Sequence, residues 1–294
     1  AQPRAPRLVT PGYASNEQLT TNNSRPSLRS NSGPDLSEHT VVLVFDDGWQ
    51  SVFTTAFPLL RDHRIPVVLG LISGAVRGGK LRYAGTSEGY MNQAEIREIM
   101  SQIPVEIASH TKTHPYLTRL TDDSVLAELS DSKQSLEQMF GTRVITLVYP
   151  YGDQNPRIQR LTAQAGYSLA RSIRPGRIDF DRRPYELPAT EVRNTTSLEF
   201  IRKRVIENST LILFFHRIVP RPRVFTEWST AQFAEFLDWL DENQVRVLTL
   251  SDLYARHQGR PIVGPLLRRN WRTRVEWDLL EQVNVNVTWT AQGR

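Results

Sequence analysis

Between residues 40 and 257 the hydrophobic and polar positions switch repeatedly between two periods. Short, mostly apolar runs at residues 41–45, 66–72, 105–108, 144–149, 211–215 and 245–250 read as buried strands. Segments with helical spacing lie between them. Thr121 reads as an N-cap, with Asp122 and Asp123 in the first turn, where the helix dipole favours negative charge. Val125, Leu129, Leu136 and Phe140 give that helix an apolar face, and Gly141 ends it. Ser229 and Gln232 read as a capping box ahead of Phe233, Phe236, Leu237 and Leu240. Residues 154–165 and 197–207 also read as helices. Strands that alternate with helices imply a parallel sheet covered by helices, and the pattern fits an open sheet and a barrel equally.

The flanks break this pattern. Residues 1–39 are rich in Pro, Asn, Ser, Thr and Arg and read as an extended or partly disordered arm. Residues 258–294 read as a separate C-terminal extension. They are basic, carry Trp271, Trp277 and Trp289, and alternate Val283, Val285 and Val287 as a late strand would. Residues 74–89, rich in glycine and basic side chains, read as a long loop that shapes access to a cleft.

Composition changes the picture mainly by exclusion. A chain of 294 residues, 39% hydrophobic and 23% charged, buries a full core without staples. With no cysteine it has no disulfide, no thiol nucleophile and no thiolate metal ligand. The net charge of +5 is scattered and makes no basic stripe, so a nucleic-acid partner is not expected. No apolar run is long enough to span a bilayer. The start at Ala1-Gln2-Pro3 suits a mature chain after signal removal, hence a secreted, periplasmic or cell-surface protein, and suits a trimmed chain equally.

Four features carry chemistry. The first strand runs into Asp46-Asp47-Gly48-Trp49. Two carboxylates at the end of a buried strand are costly without a cation, although alone they read as an Asp-Gly turn. His110 and His114 follow the third run, and two histidines four apart face one way if the segment turns helically. Pro150-Tyr151-Gly152 is a turn able to aim a backbone N–H into a cleft, and His216 closes the run 211–215. All four lie at the C-terminal ends of predicted parallel strands, the face where active sites of such folds sit. One Asp and two His leave a metal an open position, with the other Asp as base and His216 as proton donor.

Taken together, these residues resemble the polysaccharide deacetylase family, the carbohydrate esterases with a NodB homology domain. Phe45-Asp46-Asp47-Gly48 is similar to the family's first motif and residues 109–114 to its second. Tyr149-Pro150-Tyr151-Gly152 is similar to the third, and Leu213-Phe214-Phe215-His216 to the fifth. The resemblance covers residues 40–257 and implies a distorted (β/α) barrel of about seven parallel strands. It implies that Asp47, His110 and His114 bind zinc, with cobalt or nickel able to use the same ligands. It implies Asp46 as catalytic base, His216 as catalytic acid and the Tyr151 N–H as oxyanion donor.

The implied reaction is removal of N-acetyl groups from an N-acetylglucosamine polysaccharide. An O-acetyl esterase on xylan or another glycan, or a non-catalytic glycan binder on the same fold, are the alternatives. Trp49, Pro150, Tyr151 and Phe214 are candidates for touching the glycan, and Tyr83 and Tyr90 for stacking on sugar rings. Two positions depart from the family pattern. Val148 stands where an arginine often orients the base, and Phe214 stands where a leucine often packs on the acetyl methyl. The fourth motif has no clear match, which leaves Asp179, Asp181, Glu191 and Arg193 as candidates to orient His216.

Overall fold

The computed structural model describes residues 34–76 and 89–261. The chain divides at Pro34, and everything below belongs to the unit that begins at Asp35. The readings of residues 1–33, of most of the 74–89 loop with Tyr83, and of residues 262–294 with their tryptophans lie outside the described residues.

The strands are β1 (Thr40–Phe45), β2 (Val67–Leu71), β3 (Val105–Ser109), β4 (Thr146–Val148), β5 (Leu169–Arg171), β6 (Thr190–Glu191), β7 (Thr210–Phe215), β8 (Arg217–Val219), β9 (Glu227–Ser229) and β10 (Arg246–Val247). The helices are α1 (Phe57–Asp62), α2 (Ser73–Val76), α3 (Gln93–Gln102), α4 (Asp122–Phe140), α5 (Pro156–Gln164), α6 (Leu198–Glu207), α7 (Thr230–Glu242) and α8 (Leu250–His257).

One sheet runs in the order β5-β4-β3-β2-β1-β7-β6, every pair parallel, with β10 beside the start of β1. A single short segment joins its two ends. Leu187 bridges Arg171 of β5, and three residues later Thr190 pairs with Leu213 of β7. The fold is therefore a distorted (β/α) barrel, closed by residues 187–191 where an ordinary strand would stand.

The strand runs are continuously apolar because each face buries in a different core. On β1, Val41, Leu43 and Phe45 join the cluster under the helices, while Val42 and Val44 join the barrel interior. On β7, Leu211, Leu213 and Phe215 point outward and Ile212 and Phe214 inward. At the end where the strands begin, Leu250 and Leu253 of α8 enter the interior cluster. There Glu106 is buried, accepting bonds from the Thr146 hydroxyl at 2.6 Å and from the Ser251 N–H at 2.7 Å.

Several local readings meet their physical reasons here. Thr121 caps α4 by accepting from the Ser124 N–H, and Gly141 ends it in the left-handed region at φ 66°. Ser197 and Asn155 cap α6 and α5 by the same bond. Ser229 precedes α7 without a side-chain cap bond, so the expected capping box with Gln232 does not form. The apolar run 245–250 holds only two strand residues, because Thr249 caps α8 and turns Leu250 into a helix. Four strands escaped the pattern because they are two or three residues long and partly polar: β5, β6, β8 and β9.

Candidate active site

Three of the strands end in side chains that converge above the barrel interior. Asp46 continues the inward parity of Val42 and Val44, and Arg171 that of Leu169. Asp46 is 3% exposed and Arg171 wholly buried, and the Arg171 Nη2 donates to Asp46 Oδ2 in a short bond. It supplies the cation that one of the two buried carboxylates requires. Arg171 pairs in register with Val148 on the neighbouring strand. The guanidinium missing at position 148 is thus supplied from one strand further along. It lies 4.1 Å above the Phe214 ring, which helps hold it in place.

Asp47 parts from Asp46 because it takes a left-handed backbone, φ 70°, followed by Gly48 at φ 86°. A side chain on Gly48 would meet Leu71 at 2.9 Å, so glycine is needed on both counts. Trp49 Nε1 donates to Asp47 Oδ2 at 2.8 Å. The other oxygen, Oδ1, lies 3.3 Å from His110 Nε2 and 3.4 Å from His114 Nε2.

The histidine segment is not helical. Thr111 and His114 are both left-handed, at φ 65° and 64°, and the turn is held by side chains. Thr111 Oγ1 accepts from the His114 N–H at 2.9 Å. Glu128 on α4 accepts from the N–H groups of Lys112 and Thr113 and from the Thr113 hydroxyl. The expected helical spacing is therefore corrected. The histidines meet, with Nε2 atoms 3.1 Å apart, because a braced loop folds back. His110 Nδ1 donates to the Val148 carbonyl at 2.7 Å, which fixes the tautomer and leaves Nε2 a bare lone pair.

Asp47, His110 and His114 are the group able to hold a metal among the described residues, each offering one ligand atom within 4.8 Å of the others. The fit to a cation is chemical as well as geometric. Asp47 Oδ1 and Asp46 Oδ1 are buried with no hydrogen-bond partner among the described residues, an arrangement a carboxylate tolerates when a positive charge faces it. Burial opposes ionisation of Asp47, yet the facing His110, with His216 and His114 nearby, holds its pKa well below the carboxylate range. Burial, then His110, lower His114 to about 3, so it is the neutral ring a metal needs.

Pro150-Tyr151-Gly152 forms a single tight turn with Tyr151 left-handed at φ 59°. His216 is half-buried at the end of β7, 5.8 Å from the Phe214 ring, and its Nδ1 has no hydrogen-bond partner among the described residues. The four candidates to orient it bond elsewhere: Asp181 to His257, Glu191 with Arg193, and Asp179 to the Arg182 N–H.

Two glycan-contact expectations need correction. Trp49 is only 4% exposed, with its ring stacked on Tyr90 at 4.7 Å and its N–H on Asp47. It steadies a carboxylate and offers no free face, and its stacking also occupies Tyr90. Phe214 is 2% exposed and carries Arg171 on its ring. The residues that sequence reasoning missed are Arg171 and Glu128. Arg171 left one signal, a lone cation after Leu169 and Ala170. Glu128 left none, since it reads as a solvated helix position.

Residues 33–170 match the family profile of the polysaccharide deacetylases. Over that stretch the chain is similar to the polysaccharide deacetylase family. It is 27% identical over 156 residues to the Bacillus subtilis protein YxkH, assigned by name to the polysaccharide deacetylases, covering 53% of this chain and 52% of that one. It is 23% identical over 156 residues to a poly-beta-1,6-N-acetyl-D-glucosamine N-deacetylase of Staphylococcus aureus, covering 49% and 52%. The chain thus spans about half the length of the curated relatives it matches. Among solved structures, the Xyl-CE4 domain of a multidomain xylanase from the hindgut metagenome of Trinervitermes trinervoides superposes with a TM-score of 0.50 at 16% identity. That superposition covers 77% of this chain and 94% of the domain, a likeness of fold. No helix among the described residues is long and apolar enough to cross a membrane.

Proposed function

We propose that the chain hydrolyses acetamide groups on an N-acetylglucosamine polysaccharide, releasing acetate, with one divalent transition metal held by Asp47, His110 and His114. The observation that carries this is the pair of imidazole Nε2 atoms facing an otherwise unpartnered Asp47 Oδ1 in a buried site. Two nitrogens and one oxygen suit zinc, and cobalt or nickel fit the same donors. Such an ion, when bound, supplies Lewis acidity at the acyl carbonyl and brings the pKa of a nearby water toward about 7.

The remaining roles belong to the chain. Asp46, fixed by Arg171, accepts the proton of the attacking water. The Tyr151 N–H donates to the developing oxyanion, a contribution of roughly 3 kcal/mol for one such donor. His216 gives a proton to the departing amine, which leaves poorly without it. Pro150 and Tyr151 form the lip over which the sugar enters. The Staphylococcus aureus relative's named substrate supports an N-acetylglucosamine polymer here. A polymeric glycan of that kind places the work at the cell surface or outside it.

Arg171 also bears on the alternative of a non-catalytic glycan binder. That reading drew on Val148, and the base has its arginine from the next strand instead. The deciding experiment is metal analysis of the purified protein together with acetate release from chitin oligosaccharides, poly-N-acetylglucosamine and acetylated xylan. Release from the first two, with Asp46→Asn and His216→Ala retaining metal but losing about 100- to 10,000-fold in turnover, supports the reading. Release from xylan alone makes the protein an O-acetyl esterase. Metal without release from any substrate makes it a binder.

A further inference from the structure

A column of four side chains runs outward from the metal-binding group. His114 packs edge-on against the Tyr151 ring, with centroids 4.6 Å apart and planes at 64°. Tyr151 stacks on Tyr116, 4.0 Å apart and within 9° of parallel. The Arg119 guanidinium covers Tyr116 at 4.2 Å from its centroid. Both tyrosines are large apolar rings on the surface, 39% and 41% exposed. Exposed rings beside a cleft are usually read as sugar platforms, but here the tyrosine rings face one another.

The backbone under Tyr151 gives the column a purpose. A bulky residue at φ 59° is held against its own preference and persists only where its surroundings over-determine it. Neighbouring amides close the turn, Gly152 N–H on the Tyr149 carbonyl and Asp153 N–H on that of Pro150, both at 2.9 Å. The Asp153 carboxylate then accepts from the Thr118 N–H at 2.8 Å and from its hydroxyl. The turn after β4 is thus tied twice to the segment after His114, once at Thr118 and once through the ring stack of Tyr116.

We propose that Tyr116 is a positioning residue. Stacked under Arg119, it clamps Tyr151 in its left-handed conformation and so keeps the Tyr151 N–H aimed at the oxyanion. This rests on the proposed role of that N–H in deacetylation. The ring matters and the hydroxyl does not, because the contact is face to face. A donor that must meet a developing charge loses its effect with small displacements, and a misplacement of about 1 Å costs on the order of 100-fold.

The test compares wild type with Tyr116→Ala, Tyr116→Phe and Arg119→Ala in steady-state acetate release. Alongside it, amide hydrogen exchange at Gly152 and Asp153, the hydrogen-bonded amides of the turn, is followed in protein without added metal. The expected result is a kcat for Tyr116→Ala about 10- to 100-fold lower with KM near wild type. Exchange at the two amides is then faster, Tyr116→Phe behaves as wild type, and Arg119→Ala falls in between. An active wild type whose Tyr116→Ala variant keeps both kcat and slow exchange overturns the clamp. So does a loss shared equally by Tyr116→Phe, which would point to the hydroxyl. If Tyr116→Ala does not fold, Arg119→Ala decides by the same two readings. A wild type that releases no acetate from any substrate sinks the deacetylase reading and the kinetic half of the proposal, while the exchange data still judge the clamp.

Discussion

Arg171 and Asp46 form an ion pair with almost no access to solvent. Removing one partner of such a pair leaves the other charged and buried, at a cost of about 3–5 kcal/mol. Arg171→Val should therefore lower the melting temperature and, by freeing the base, cut turnover by about 100-fold or more. The register supplies a sharper check. Val148 lies opposite Arg171, and its Cγ2 flanks the same Gly70 position as Asp46 Oδ1, each 3.3 Å from where a Cβ would stand. A Val148→Arg change placed on Arg171→Val should recover part of the lost activity. A double variant no better than the single one would mean that Arg171 acts through something other than Asp46. The motif residues Asp46, Asp47, His110, His114 and His216 were legible at this scale because each follows an apolar strand run. Arg171 was not, because its strand is three residues long and its meaning lies in a partner 125 residues away.

At the scale of elements, the site is assembled from turns that violate ordinary backbone preference. Of the described non-glycine residues with positive φ, Asp47, Thr111, His114 and Tyr151 all stand here. Regular structure would carry these side chains past one another, and left-handed residues after β1, β3 and β4 turn them inward. Gly152 shows how little room the device leaves. It has φ 66°, and a Cβ there would fall 2.4 Å from Ile173 Cγ1. Gly152→Ala should cost more than about 1 kcal/mol and lower kcat by disturbing Tyr151. Ile173→Ala on top of it should restore only part, since it relieves the contact and leaves the backbone strain. Thermal melting and steady-state kinetics on the pair check this. The helix cap at Thr121 was legible because capping is local chemistry, whereas the capping box read at Ser229 does not form. The histidine turn was misjudged as helical because its shape depends on Glu128, supplied by the next helix.

The whole molecule couples two ends of one barrel, the site where strands finish and a closing helix where they start. Glu106 serves the second, bonding the α8 backbone from inside the barrel. Burial raises its pKa above the ordinary 4.5, against the opposing bonds from Thr146 and Ser251. A raised folded value means the folded state holds the proton more tightly than the unfolded one. Its contribution to stability is complete below the unfolded pKa and fades as the pH rises through the folded pKa. Glu106→Gln should remove that loss, so the stability difference from wild type should shift in the variant's favour with rising pH across this window. Urea unfolding at several pH values measures it, and parallel curves would show that Glu106 does not titrate in the folded protein. At the other end, added zinc should raise the melting temperature in proportion to the logarithm of its concentration and do so far less in Asp47→Ala.

What the sequence determined by itself was local or periodic: the longer strands and helices, and that they alternate in the manner of a parallel sheet covered by helices. It also placed acids and histidines at strand ends. Those properties follow from side-chain spacing and from chemistry between near neighbours. Only the tertiary structure decided how the barrel closes, through residues 187–191, and which cation neutralises Asp46. It also decided which exposed tyrosines face each other. Each of these is a contact between segments far apart in the chain, set by strand register and by where a curved sheet brings its edges together. No window of sequence contains both partners.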